Sequence, residues 1–226
     1  MNKIIRVWDL PIRLFHWLLV VCIAGSFVTI NLGDEFIQWH AYFGYSILTL
    51  LIFRIIWGFV GSTHARFLSF IPSKQAIFDY LQGRSPHVLG HNPIGALSVF
   101  VLLFTLSVQV FTGLFVDDEV SFKGPLEKYV SGSISSFLSE IHEGNQVVIL
   151  TLIAIHIAAI IFYKKFKGED LIKPMISGDK EIDPSEEAKY LPADLGRASK
   201  DGVLQRGFAL LLLSVIAVAV GYLITK

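Results

Sequence analysis

The stretch IHEGNQVVILTLIAIHIAAIIFY, residues 141–163, carries a single charged side chain, Glu143, and places two histidines, His142 and His156, on one apolar run. A membrane span needs about 20 predominantly apolar residues in succession. This run supplies them without the charged opposite face that a soluble amphipathic helix shows, so it reads as a transmembrane helix. Such a helix separates its two histidines by about 21 Å of rise and leaves them about 40° short of four complete turns. Both therefore face the same neighbours at different depths.

Four further runs repeat the pattern on either side: Ile12–Ile30, Ile37–Val60, Ile94–Val116 and Val203–Ile224, all nearly free of Asp, Glu and Lys. The expected fold class is an all-α integral membrane bundle, with a four-helix core and a fifth, C-terminal transmembrane helix. Composition agrees: 53% of the 226 residues are hydrophobic and 17% charged, and the mean hydropathy is +0.60, which argues against disorder. Nineteen Lys and Arg balance nineteen Asp and Glu, so there is no basic footprint for a phosphate backbone and no nucleic acid is expected as a partner. The lone cysteine, Cys22, leaves no disulfide framework, CxxC pair or CxxCH attachment motif, and metal chemistry must fall to histidine.

The first run follows Lys3, Arg6 and Arg13 as a secretory signal would, but no A-x-A site ends it and His16 opens it. It is read as an uncleaved span, with the mature chain starting near Met1. Orientation follows from the excess of Lys and Arg on cytoplasmic segments. With the N-terminus inside, sixteen of the nineteen fall on inner segments, and the outer ones hold only Lys123, Lys128 and Lys226. The expected topology is N-terminus cytoplasmic and C-terminus periplasmic. The outer loops also carry Asp34, Glu35 and the run Asp117, Asp118, Glu119, which is either a solvated face or a surface that steers a basic redox partner. The inner loop from Gly61 to Pro93 holds an interfacial stretch around Lys74 to Leu81. The polar segment 179–202 reads as a weakly packed cytoplasmic linker to the fifth helix, 203–226. That helix has no ionisable residue after Arg206, so it serves packing or partner contact.

Ionisable groups inside a span are costly and mark function by default. His16 opens the first span at its inner end, and His40 opens the second at its outer end. Helix four enters from outside, so His142 lies near the outer surface and His156 deeper. The four sort by depth into two pairs, His16 with His156 and His40 with His142. Two imidazole pairs at two depths are what two six-coordinate b-type haems require. Small residues beside them (Ala41, Gly44, Gly144, Ala154, Ala158) leave room for a macrocycle. The bland alternative for each histidine is a hydrogen bond to a neighbouring helix, and Asn145 and Gln146 have the same ordinary role. Arg13 and Arg54 are candidates for haem propionate contacts, because guanidinium suits carboxylate; ordinary inner-face charge that snorkels to head groups explains them equally well. His64, His87 and His91 fall in the inner loop, where an exposed histidine is usually only solvated. A proton-coupled quinone site is the functional version of that reading.

Several separate motifs, in order, also resemble a known family: VWDLPIRLFHW at 7–17, WHAYFG at 39–44, FRIIWGFVG at 53–61 with HARF at 64–67, GHNP at 90–93, and His142 with His156. Over about residues 4 to 178 the chain resembles the bacterial cytochrome b561 family, which includes the b-type cytochrome subunits of nickel-iron hydrogenases. The resemblance implies a four-helix, di-haem domain at 1–178 with His16, His40, His142 and His156 as axial ligands of two non-covalent haems b. It also implies electron transport across the bacterial inner membrane between quinone or quinol and a periplasmic partner, either a c-type cytochrome or a hydrogenase-like enzyme. Whether such a chain is an enzyme by itself is left open by its dependence on the complex. From a different class, the histidines would serve a transition-metal transporter; that reading expects carboxylates in the spans, and Glu143 is the one found. A purely structural anchor leaves the intramembrane histidines unexplained.

Overall fold

The computed structural model describes residues 2–118, 120, 122–190 and 192–225. Met1, Glu119 and Lys226, on which parts of the terminal and acidic-run expectations rest, lie outside the described residues. In chain order the elements are β1 (Lys3–Arg6), α1 (Leu10–Asn31), α2 (Ile37–Val60), α3 (Lys74–Leu81), α4 (Pro93–Gly113), α5 (Gly132–Phe162), α6 (Ile172–Ser177), β2 (Asp179–Ile182), α7 (Pro192–Leu195) and α8 (Val203–Ile224). Among the described residues, five helices are long and apolar enough to cross a membrane, and the protein is an all-α helical membrane bundle. Their large apolar side chains are widely exposed, Phe104 at 71% and Val218 at 73%. Lipid tails satisfy such surfaces, whereas water would not.

The expected bounds hold for α2 and α8 and differ elsewhere for local reasons. α5 begins nine residues before Ile141, through a polar Ser- and Gly-containing turn in which Ser135 donates to the Phe115 carbonyl at 2.8 Å. α4 stops at Gly113 because the following carbonyls are taken by the loop: Leu126 N–H donates to Leu114 O and Gly124 N–H to Val116 O. α5 closes in a π-helical turn, Tyr163–Lys167, before Gly168 in the left-handed conformation, and its three lysines oppose the negative end of the helix dipole. The interfacial stretch is the helix α3, capped by Ser73, which accepts from Ala76 N–H.

The chain forms two compact units. The first comprises Met1–Leu14, Ile55–Val101 and Ile155–Ala209. In it β1 pairs antiparallel with β2, Arg6 opposite Asp179. Asp9 is fully buried and caps α1: one carboxylate oxygen accepts from Ile12 N–H at 2.8 Å, the other from the Trp57 indole at 3.0 Å. Pro11 in the first turn costs no helical hydrogen bond, so the WDLP sequence is a helix start tied to α2. A second buried carboxylate, Asp201, meets Arg6 at 2.5 Å, Arg206 at 3.1 Å and Arg13 at 3.7 Å, and accepts from Leu10 N–H. Burial works against its charge, yet Arg206, the Leu10 amide and Arg6 together hold its carboxyl below the usual range.

Segment 179–202 is thus not weakly packed. Ile182, Tyr190 and Ser199 are buried, and the Ser199 hydroxyl donates to Val7 O at 2.6 Å. Asp179 and Asp201 pair with Arg6 of the N-terminal strand, and Ser199 N–H donates to the Arg6 carbonyl at 2.7 Å, which composition alone does not reveal. The second unit comprises Phe15–Arg54, Leu102–Ala154 and Leu210–Lys226, and it holds a cavity between its helices.

Candidate haem centre

Within the second unit, α2 carries His40 and α5 carries His142, and their rings meet edge-on with centroids 6.2 Å apart and planes at 87°. Each ring is fixed from behind. His40 Nδ1 donates to the Ser26 carbonyl at 3.0 Å and lies 3.0 Å from the Ser26 hydroxyl. His142 Nδ1 donates to the Gln109 carbonyl at 2.9 Å and lies 3.3 Å from the Thr112 hydroxyl. A carbonyl can only accept, so the proton sits on Nδ1 and the Nε2 lone pair is left for a metal. This is the outer-sphere arrangement of metal-binding histidines.

The spacing fits one iron between the two rings. An imidazole nitrogen binds a transition metal at about 2 Å and lies about 1.2 Å from its ring centroid, so two rings on opposite sides of one ion have centroids about 6.3 Å apart. The cavity beside them has a volume of about 340 Å³ and is lined among others by Ala41, Gly44, Leu106, Gly113 and Gln146. A Cβ on Gly44 would enter open space, whereas one on Gly113 would come within 2.9 Å of the His142 ring. The residues present fit a haem held through His40 and His142. Among the described residues, the charged groups at this cavity are Asp34, Asp118 and Glu143.

The other expected site residues are placed as follows. His16 is half-buried on α1 in the second unit, edge-on to Trp17; His156 is half-buried on α5 in the first unit. Their pairing rests on the sequence reasoning. Arg54 is buried, 4% exposed. Arg13 donates to the Ile176 carbonyl at 2.6 Å and faces Asp201, so a propionate contact would have to exchange for these.

The three loop histidines are packed rather than simply solvated, because segment 179–202 folds against His64 and His87, and Trp8 and Phe70 enclose His91. His64 Nε2 donates to the Arg197 carbonyl at 2.7 Å; burial pushes its imidazole below the ordinary value, against the opposing effect of that bond. His91 lies between Trp8 at 4.8 Å and Phe70 at 4.6 Å. His87 Nδ1 is 3.4 Å from Glu169 and its ring packs edge-on to Tyr190, whose phenol is pushed up to about 12 by burial and by Glu169 and Glu186. A small cavity of about 110 Å³ is lined by His64, His91, Ser69 and Arg197.

Sequence reasoning missed Ser26, Gln109 and Thr112. For Gln109 a signal existed, a lone amide in an apolar run. For Ser26 the contact is largely through its main chain, which no residue type encodes. Asn145 does bond across helices, to Gln109 and to the Thr105 carbonyl.

A helical membrane bundle with two apposed, backed histidines is compatible with a b-type cytochrome. A sequence profile described as "Prokaryotic cytochrome b561" matches residues 7–178, and the chain belongs to that family. It is similar to the "Probable Ni/Fe-hydrogenase B-type cytochrome subunit" of Rhizobium leguminosarum bv. viciae, at 24% identity over 78% of this chain and 88% of the relative. The protein of the same description from Rhodobacter capsulatus is 22% identical over 77% and 80%. The "Probable Ni/Fe-hydrogenase 1 B-type cytochrome subunit" of Escherichia coli (strain K12) is 27% identical over 51% and 61%. The protein is a membrane b-type cytochrome of electron transfer that binds haem b.

Proposed function

We propose that the chain relays electrons across the bacterial inner membrane through two non-covalent haems b held in its 1–178 domain. One is ligated by His40 and His142, the other by His16 and His156. The observation that carries the reading is the His40–His142 pair, 6.2 Å apart with each Nδ1 committed to a carbonyl. Haem iron, when bound, supplies the one-electron couple; the protein supplies ligation, orientation and a low-dielectric shell that sets the potential. Arg54, and Arg13 after exchange of its present partners, are the cations proposed for propionates.

With the N-terminus cytoplasmic and the C-terminus periplasmic, the His40–His142 centre lies near the periplasmic face. It would exchange electrons there with a c-type cytochrome, while quinol is oxidised or quinone reduced toward the other face. The names of the relatives favour a second reading, in which the periplasmic partner is a nickel-iron hydrogenase and the chain is its membrane subunit. α8, in the C-terminal segment 203–226, then serves packing or partner contact.

The test is the haem content and reduced-minus-oxidised spectrum of the detergent-purified protein. Two b haems per chain are expected, and a colourless preparation made with ample haem would overturn the reading. Reduction of the isolated chain by a short-chain quinol supports the free-standing relay, and stoichiometric co-purification of a hydrogenase supports the second reading.

A further inference from the structure

The bonds behind His142 converge on it in a way that helix packing alone does not require. Gln109 contacts His142 twice: its main-chain carbonyl accepts from the ring Nδ1–H at 2.9 Å, and its side-chain amide donates to the His142 carbonyl at 3.0 Å. The remaining amide oxygen of Gln109 accepts from Asn145 Nδ2 at 2.8 Å, and the same Asn145 nitrogen reaches the Thr105 carbonyl at 3.1 Å. Because Asn145 offers a hydrogen to that oxygen, the Gln109 amide has one orientation, nitrogen toward His142. Amides in an apolar bundle are costly unless bonded, and here both bond within one cluster around one imidazole. His40 is backed by one residue, Ser26.

We propose that Gln109 is a positioning residue and Asn145 its support, together setting the rotation of the His142 ring, and through it the angle between the two axial imidazoles and the potential of that haem. The proposal rests on the reading of His40 and His142 as ligands of one haem. Each imidazole donates π density into the iron orbital perpendicular to its own plane. Planes near 90°, as in the 87° seen here, leave the two orbitals close in energy and give a low-spin ferric signal with a large maximal g value. A ring whose Nδ1–H is firmly bonded also donates more strongly to ferric iron, which lowers the potential.

The test compares wild type with Gln109→Leu, Gln109→Met, Asn145→Leu and the double variant, all haem-loaded, by EPR and by redox titration of the reduced band. His142→Ala assigns which signal belongs to this haem. Gln109→Leu and Gln109→Met keep the main-chain carbonyl that accepts from the His142 Nδ1–H and remove the amide that fixes its place, so they should lower that maximal g value and weaken the ferric preference up to about threefold, a rise of up to about 30 mV for a one-electron couple. Asn145→Leu should move both in the same direction by less, and the double variant should match Gln109→Leu, because the two act as one unit. Wild-type g value and potential in Gln109→Met would make Gln109 a packing residue and overturn the proposal. Should the Gln109 variants lose the haem, Asn145→Leu decides, since it leaves both contacts to His142 in place; unchanged values there overturn the proposal too. If His142→Ala retains every haem signal, the ligand assignment itself fails, an outcome separate from any result at Gln109.

Discussion

Gly113 sits at the end of α4 where a Cβ would lie 2.9 Å from His142 Cε1 and 3.2 Å from Nδ1. Real Cβ atoms do not approach a ring carbon that closely, so Gly113→Ala must displace the imidazole or the helix by a few tenths of an ångström. Overpacking of this kind costs about 1–3 kcal/mol. The ring is already held by Gln109 and Thr112, so the displacement falls on the geometry its Nε2 offers to iron. That cost, taken from the haem-bound form, weakens retention of the haem about 5- to 150-fold. The haem-free protein should suffer less, because its imidazole is not tied to iron and can turn away from the added methyl. Gly221→Ala, on α8 and outside the 1–178 domain, is the control: its Cβ meets nothing within 4 Å. Haem stoichiometry from the haemochrome spectrum, measured through graded detergent washes, should show loss of one haem from Gly113→Ala and none from Gly221→Ala. Full retention of both haems by Gly113→Ala, with wild-type spectra, would refute the placement of the liganded His142 ring against Gly113.

Substitution of His40 or His142 by Ala should each remove one and the same haem, while His16→Ala and His156→Ala remove the other; difference spectra showing cross-matched losses would break the pairing. Asp9→Ala forfeits the α1 cap, about 1 kcal/mol, and strands the buried Trp57 indole, about 1–3 kcal/mol. Its thermal unfolding midpoint should therefore fall well below that of Asp9→Asn, which keeps one of the two bonds. His64 is held neutral by burial, with its folded value lowered. The unfolded chain accordingly binds the extra proton first as pH falls: the stabilisation is complete above about pH 6.5 and is lost as pH drops from there toward the folded value. Melting curves between pH 8 and 5 should show this loss, and His64→Gln, which can still donate to the Arg197 carbonyl, should flatten it.

The spans were legible because the bilayer imposes a length and polarity rule that each run meets by itself. The bounds of α2 and α8 follow from composition alone. The early start of α5 was not, because Gly132 to Ser139 is polar enough to read as loop, and its helicity comes from bonds such as Ser135 to Phe115 O made in three dimensions. β1 and β2 were equally hidden. Four residues each, KIIR and DKEI, are too short to show a period, and their partners lie more than 170 residues apart in sequence. The same distance hid the function of Asp201, which looks like one acid in a polar stretch and is in fact the buried partner of three arginines.

At the site, depth along the helices was enough to expect His40 opposite His142, since rise and rotation are fixed by the helix itself. What holds that pair was out of reach, because among the atoms that fix both imidazoles are main-chain carbonyls, those of Ser26 and Gln109. A carbonyl has no residue signature. Only the side chains that commit such a carbonyl to its place leave a trace: Gln109, the lone amide of its apolar run, and Asn145, which stands beside Gln146 and is not singled out by sequence. In this chain the amides of Gln109 and Asn145 thus mark what holds His142 in place.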